Sequence, residues 1–289
     1  MSATTIGYQT AQYFTVGAMA AVVFDYCLTI PQEVQLIWGR KWDVIRVVFT
    51  LTRYVTFMGT AMTTYAAVTD RSHYTSCANF NAVSYSSHLI SIVAAEGLLI
   101  FRTYAFWHQN KKLLVFLLVL AAFSIVGAIG LTEVVNILHL ADPIGDDQTG
   151  CMFGSGRGSA VEYGFLILYE LVLMILTIYK RFDYYKGVRS RLVTTLYRDG
   201  IIYMTCITMA SFANIVIALV IPGTYTNILD APQLVIHGVL ASRILFNLRQ
   251  SLESDSMAID GMLSLADTRR TPGSHSIVFV NPNSGTVEG

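Results

Sequence analysis

Seven apolar runs, each about as long as a bilayer is thick, alternate with short polar stretches along the chain. A helix needs about 20 mostly apolar residues to cross about 30 Å of hydrocarbon. The runs cover roughly residues 10–30, 43–67, 82–106, 113–136, 161–180, 200–221 and 231–248. The fourth contains the unbroken stretch LLVFLLVLAAFSIVGAIGL. The second is interrupted by Arg46 and Arg53. An Arg at a helix centre costs about 2.5–3.5 kcal/mol, and each strongly apolar residue returns about 0.3–0.6. Val44, Ile45, Val47, Val48, Phe49, Leu51, Val55, Phe57 and Met58 can offset Arg53, provided it faces protein. The pattern therefore predicts an all-α, integral membrane seven-helix bundle over residues 1–250. Residues 251–289 read as a disordered polar tail with too little apolar content to fold alone. Its SIVFV stretch is a short exception, either a docking segment or a few apolar residues in a disordered chain.

Composition agrees. The 289 residues are 54% hydrophobic and 13% charged, against about 25% charged in a typical soluble domain. The formal net charge is zero, so no nucleic-acid partner is expected. The distribution of basic residues predicts the orientation, because short inner loops collect Lys and Arg. With the N-terminus outside, the inner connections hold Arg40 and Lys41, then Lys111 and Lys112, then Lys180, Arg181, Lys186, Arg189, Arg191 and Arg198. The outer segments hold only Arg71 and Arg157, and the cytoplasmic C-terminal tail begins at Arg249. The first apolar run lacks a basic flank and is expected to remain as a signal-anchor. The plasma membrane or another secretory-pathway membrane is the expected location. The lipid bilayer is then the first partner. The basic third inner connection suits a cytoplasmic signalling partner or anionic headgroups.

Charges within the spans carry the candidate chemistry. At 1.5 Å rise per residue, Asp25, Arg46 and Arg102 fall in one inner layer, and Arg53 and Glu96 in a deeper one. Opposite charges at matched depth can neutralise one another, so these five are expected to tie spans one to three together. Such a network is either a switch or a static clamp whose outermost basic residues snorkel. Glu170, Asn214 and His237 are further candidates for a polar cavity. Glu162 shares span five with Glu170, and Arg243 and Asn247 share a face of span seven. Cys77 and Cys151 fall in outer loops, where disulfides persist. They are bridged or form two separate thiols, since spacing does not fix their distance. Cys27 and Cys206 lie within spans.

Other chemistries find no support. No two of the six histidines sit at i, i+3 or i, i+4, the spacing of a helical metal pair. No nucleophile elbow or phosphate loop occurs. No cofactor and no metal site is expected, although membrane enzymes can draw ligands from distant spans. Span seven has no lysine for a retinal Schiff base. All six prolines lie at span ends, in loops or in the tail, unlike the broken helices of many transporters.

The stretch DYCLTIPQEVQLIWGRKWDVIRVVFTLTRY, from Asp25 to Tyr54, resembles the N-terminal signature of a large family of basidiomycete multi-pass membrane proteins. That family is catalogued as domain of unknown function 6533, and the signature covers about residues 13–57. LYRDGIIYM (Leu196–Met204) and ASRILFNLR (Ala241–Arg249) are similar to later parts of such chains. The resemblance implies an integral membrane protein of a mushroom-type fungus and implies no activity. Seven spans with an outside N-terminus also look like G-protein-coupled receptors. However, Arg102 lacks a preceding acidic residue, span seven lacks Asn-Pro-x-x-Tyr, and span six lacks a Pro-kinked Trp motif. The leading expectation is a seven-helix receptor or sensor of unknown ligand. The alternatives are a transporter or channel, and a non-signalling scaffold. An enzyme is the least favoured reading.

Overall fold

The computed structural model describes residues 3–39, 43–69, 77–107, 109–140, 156–184, 191–220 and 228–270. Among the described residues all regular structure is helical. Helix α1 (Ala3–Glu33) runs on into a π turn, Val34–Trp38. The second span is composite: α2 (Val44–Thr50), a π turn (Leu51–Val55) and α3 (Thr56–Val68). Thr50, Leu51, Val55 and Thr56 all keep right-handed helical dihedrals, so the three pieces form one rod. The Asp43 side chain starts it by accepting from the Val44 amide at 2.7 Å, an N-cap role. Helices α4 (Cys77–Phe106), α5 (Lys111–Leu140), α6 (Gly156–Tyr184), α7 (Arg191–Val220) and α8 (Asp230–Arg270) follow. Between α4 and α5, Gln109 turns the chain at φ 59°. Its amide donates back to the Tyr104 carbonyl at 3.1 Å, and Asn110 caps α5 by accepting from the Lys112 amide at 3.0 Å.

Side-chain contacts order the helices as an alternating bundle. Gln12 meets Ala67, while Tyr26 meets Arg53, so α1 is antiparallel to the second span. Val48 packs on Gly97, and Thr63 bonds His88, so the second span is antiparallel to α4. Leu117 meets Tyr169, and Gly127 abuts Phe165, which reverses α5 against α6. Met174 meets Thr205, and Glu170 meets Ser211, which reverses α6 against α7. Asp25 meets Arg243, and Leu36 meets Arg249, so α1 and α8 run parallel.

Five helices are long and apolar enough to cross a membrane: Gln9–Trp38, Asn79–Phe106, Lys111–Val135, Ala160–Phe182 and Gly200–Val220. The runs at 43–67 and 231–248 are helical too. The first is divided by its π turn, and the second carries Gln233, His237, Arg243 and Asn247. Their composition follows from position. Helix α5 buries only 6% of its most apolar window and turns Val115, Phe116, Val119, Phe123 and Val126 outward, as a lipid-facing helix does. Helix α8 buries Ala231, Leu234, Val235, Ala241, Ile244, Leu245 and Phe246. A helix surrounded by protein can carry polar groups because its neighbours satisfy them. Phe49 and Phe246 meet edge to face at 5.2 Å within a core of Leu36, Ile37, Ala95, Leu98 and Leu245.

Close approach between the second span and α8 depends on Gly238. A Cβ there would lie 2.6 Å from Thr56 Oγ1 and 3.0 Å from its Cγ2, the small-residue packing common inside membranes. Gly238→Ala is expected to cost about 1–3 kcal/mol by overpacking. Gly130→Ala, which meets nothing within 4 Å, should leave the melting temperature of the detergent-solubilised protein unchanged or slightly raised.

The chain divides into two compact units, Met1–Arg249 and Gln250–Gly289. Helical backbone continues to Arg270, where composition alone predicts a polar tail. The stretch is free of proline and contains the good helix formers Leu, Met, Ala and Glu. Residues 271–289, SIVFV among them, lie outside the described residues.

Candidate functional site in the bundle interior

Arg53 sits in the π turn of the second span, only 8% exposed. Its Nε lies 2.8 Å from Glu33 Oε2 and its Nη1 3.9 Å from Asp25 Oδ2. Its Nη2 donates to the Thr29 hydroxyl and, at 3.5 Å, to the Tyr26 carbonyl. The guanidinium also stands 5.0 Å from the Tyr26 ring centroid, within cation–π range. Glu33 Oε1 accepts from Tyr54 and from the Trp38 indole, each at 2.9 Å. From α8, Arg243 reaches Asp25 Oδ1 with Nε at 2.8 Å and Nη2 at 2.7 Å. Two carboxylates and two guanidiniums thus balance across three helical segments. A buried charge persists in a low-dielectric interior only with such partners.

A cavity of about 210 Å³ opens beside this network, lined by Asp25, Tyr26, Arg53, Thr56, Gly238 and Ser242 among others. It is small for a drug-sized ligand and suits a small molecule with a polar end. The π turn explains how Arg53 reaches it: winding wider than the α-helix rotates the side chains that follow, and π turns recur at functional sites.

A second cluster lies on the other side of α8. His237 Nε2 is 3.2 Å from Glu170 Oε1, and His237 Nδ1 is 3.6 Å from Glu96 Oε1. Ser211 of α7 donates to Glu170 Oε1 at 3.1 Å, and Gln233 Nε2 donates to Ser211 at 2.6 Å. Glu96, Glu170, Asn214 and His237 are at most 7% exposed. Four helices therefore converge on one polar point in the apolar core.

The expected pairings are corrected by this geometry. Arg53 meets Asp25 and Glu33, and Glu96 meets His237, so the Arg53–Glu96 pair does not form. Arg102 does not join Asp25 either: it reaches the Met204 sulfur at 3.2 Å and lies against Gly200 of α7. Arg46 is half-buried, and its carbonyl accepts from Thr50 at 2.8 Å. Matched depth is necessary for contact but does not set the direction around the helix axis. Glu170 and His237 do meet, while Asn214 lies one turn beyond Ser211 on α7. Glu33 was missed, yet Asp25, Thr29 and Glu33 repeat at i, i+4, i+8, the spacing of one helix face. No such local signal links Asp25 to Arg243.

Cys151 lies outside the described residues, as does any Cys77–Cys151 bridge; Cys27 and Cys206 are free and exposed. Near the C-terminal end of α6, Lys180 stands 5.0 Å from the Trp107 ring, which stacks on Tyr179. Arg181 is half-buried. Lys186 and Arg189 lie outside the described residues, and Arg191 and Arg198 enter as helical backbone of α7.

Residues 13–58 match the model of a family of unknown function, DUF6533. The matched segment contains Asp25, Tyr26, Thr29, Glu33, Arg53 and Tyr54, which make up the ionic network apart from Arg243 of α8. No curated protein matches the chain.

Proposed function

We propose that this chain is a seven-helix membrane receptor or sensor, with its N-terminus outside and its C-terminus cytoplasmic. The observation that supports it is the ionic network beside the cavity. Arg53 and Arg243, from two helices, hold Asp25 and Glu33 of α1, and Asp25 and Arg53 also line the cavity. A ligand whose polar end competes for Asp25 or Arg53 changes the contact between α1 and α8. A ligand shifts a conformational equilibrium only through such differential contacts. The third inner connection, with Lys180, Arg181, Lys186, Arg189, Arg191 and Arg198, is the proposed surface for a cytoplasmic signalling partner.

Arg243 provides the test. Its side chain is 40% exposed, and Asp25 keeps Arg53 as a partner without it. Arg243→Ala should therefore fold while removing the ionic contact between α8 and Asp25 of α1. In nanodiscs it is expected to accelerate nucleotide exchange on a heterotrimeric G-protein α subunit more than the wild-type protein does. Two folded proteins that both leave exchange at the rate of empty nanodiscs would remove the signalling reading. The Glu96–His237–Glu170 cluster favours a second reading, transport of protons or cations through the bundle. It requires flux into proteoliposomes that falls in Glu96→Gln.

A further inference from the structure

We propose that Glu96, Glu170 and His237 form a binding site for one divalent transition-metal cation of the zinc class. The proposal is independent of whether the protein signals. One donor atom from each residue lies within 4.8 Å of the others. A tetrahedral site with bonds of about 2.0–2.1 Å has edges of about 3.3 Å, so sub-ångström to ångström side-chain shifts would close the set around an ion. The 3.2 Å approach of His237 Nε2 to Glu170 already has that spacing; Glu96 stands 3.6 Å from the other ring nitrogen, Nδ1, so one carboxylate must shift toward the nitrogen that ligates.

Unpartnered polar atoms supply the independent observation. Among the described residues, both oxygens of Glu96, Oε2 of Glu170 and both ring nitrogens of His237 are buried without a hydrogen bond of proper geometry. The two polar side-chain atoms of Asn214 are in the same condition. Asn214 follows Ser211 by three residues on α7, so it lies on the face that bonds Glu170 and offers a fourth, amide oxygen donor. Buried polar groups are normally satisfied; of these atoms the carboxylate oxygens and one ring nitrogen of His237 carry lone pairs that a central cation would accept.

Charge and donor type select the ion. Two carboxylates placed together in an apolar interior repel, and a 2+ ion neutralises both. Imidazole suits zinc, copper, iron and nickel, whereas calcium and magnesium take oxygen ligands. The Gln233–Ser211–Glu170 chain has the form of outer-shell support, in which a hydrogen-bonded carboxylate is held in orientation for the metal. Sequence spacing could not show this site, because each donor comes from a different helix.

Zn²⁺ binding to the purified full-length protein, with Co²⁺ as a visible-absorption reporter of tetrahedral geometry, tests the proposal. The expected result is one Zn²⁺ per chain, retained when Cys27 and Cys206 are both replaced by serine and lost in His237→Gln. Ser211→Ala should weaken binding about 10- to 100-fold. Folded wild-type protein that takes up no Zn²⁺ at this stoichiometry overturns the proposal. Binding that survives His237→Gln, or that equimolar Ca²⁺ displaces, does the same. Should His237→Gln fail to fold, unchanged affinity in Ser211→Ala decides against the site.

Discussion

Replacing Arg53 with methionine is expected to destabilise the protein by about 3–5 kcal/mol, the cost of breaking a buried ion pair from one side. Asp25 would keep Arg243, but Glu33 would be left with only the neutral donors Tyr54 and Trp38. At 3% exposure, Glu33 has little water to replace the guanidinium. The structure also says where the energy is coupled. In a thermal-stability cycle, Arg53→Met and Glu33→Gln should cost less together than the sum of the single changes. Arg53→Met and Glu96→Gln share no partner, so they should add within about 0.3–0.5 kcal/mol. The reverse pattern, with coupling to Glu96 and additivity with Glu33, would refute the observed network.

Gly200→Ala should be nearly as damaging, with a sign opposite to the usual one. Within a helix, alanine ordinarily stabilises over glycine by about 0.5–1 kcal/mol. Here the added Cβ would overlap the Arg102 guanidinium. Arg102 is 5% exposed and donates to Met204, so it must leave a buried seat. Overpacking and loss of that seat together should cost about 2–4 kcal/mol. In an Arg102→Ala background the same substitution should cost little, because the obstructing group is gone. Melting curves of the four proteins in one detergent check both statements. A penalty that persists without Arg102 would place the strain in the α7 backbone instead.

Much of the architecture follows from patterns that operate within one helix. Length and apolarity pick out five helices able to cross a membrane, since a backbone in lipid must bond internally. The two exceptional runs were also visible as exceptions. Arg53 marked the second as needing protein contact, and the polar residues of the seventh agree with its central position as α8. The i, i+4, i+8 repeat of Asp25, Thr29 and Glu33 would have identified the acidic face of α1.

What the sequence by itself determined is therefore the helical class, the boundaries of the apolar runs and the set of buried polar residues that need partners. Only the tertiary structure decided which partners they found. It gave Arg53 to Glu33 and Asp25, Arg243 to Asp25, Arg102 to α7, and both Glu96 and Glu170 to His237. The physical reason is geometric. Depth along a helix can be counted from residue number, but azimuth depends on packing, and a π turn such as Leu51–Val55 changes it for every residue that follows. Contacts between residues 218 positions apart, as for Asp25 and Arg243, exist only once α1 and α8 lie side by side.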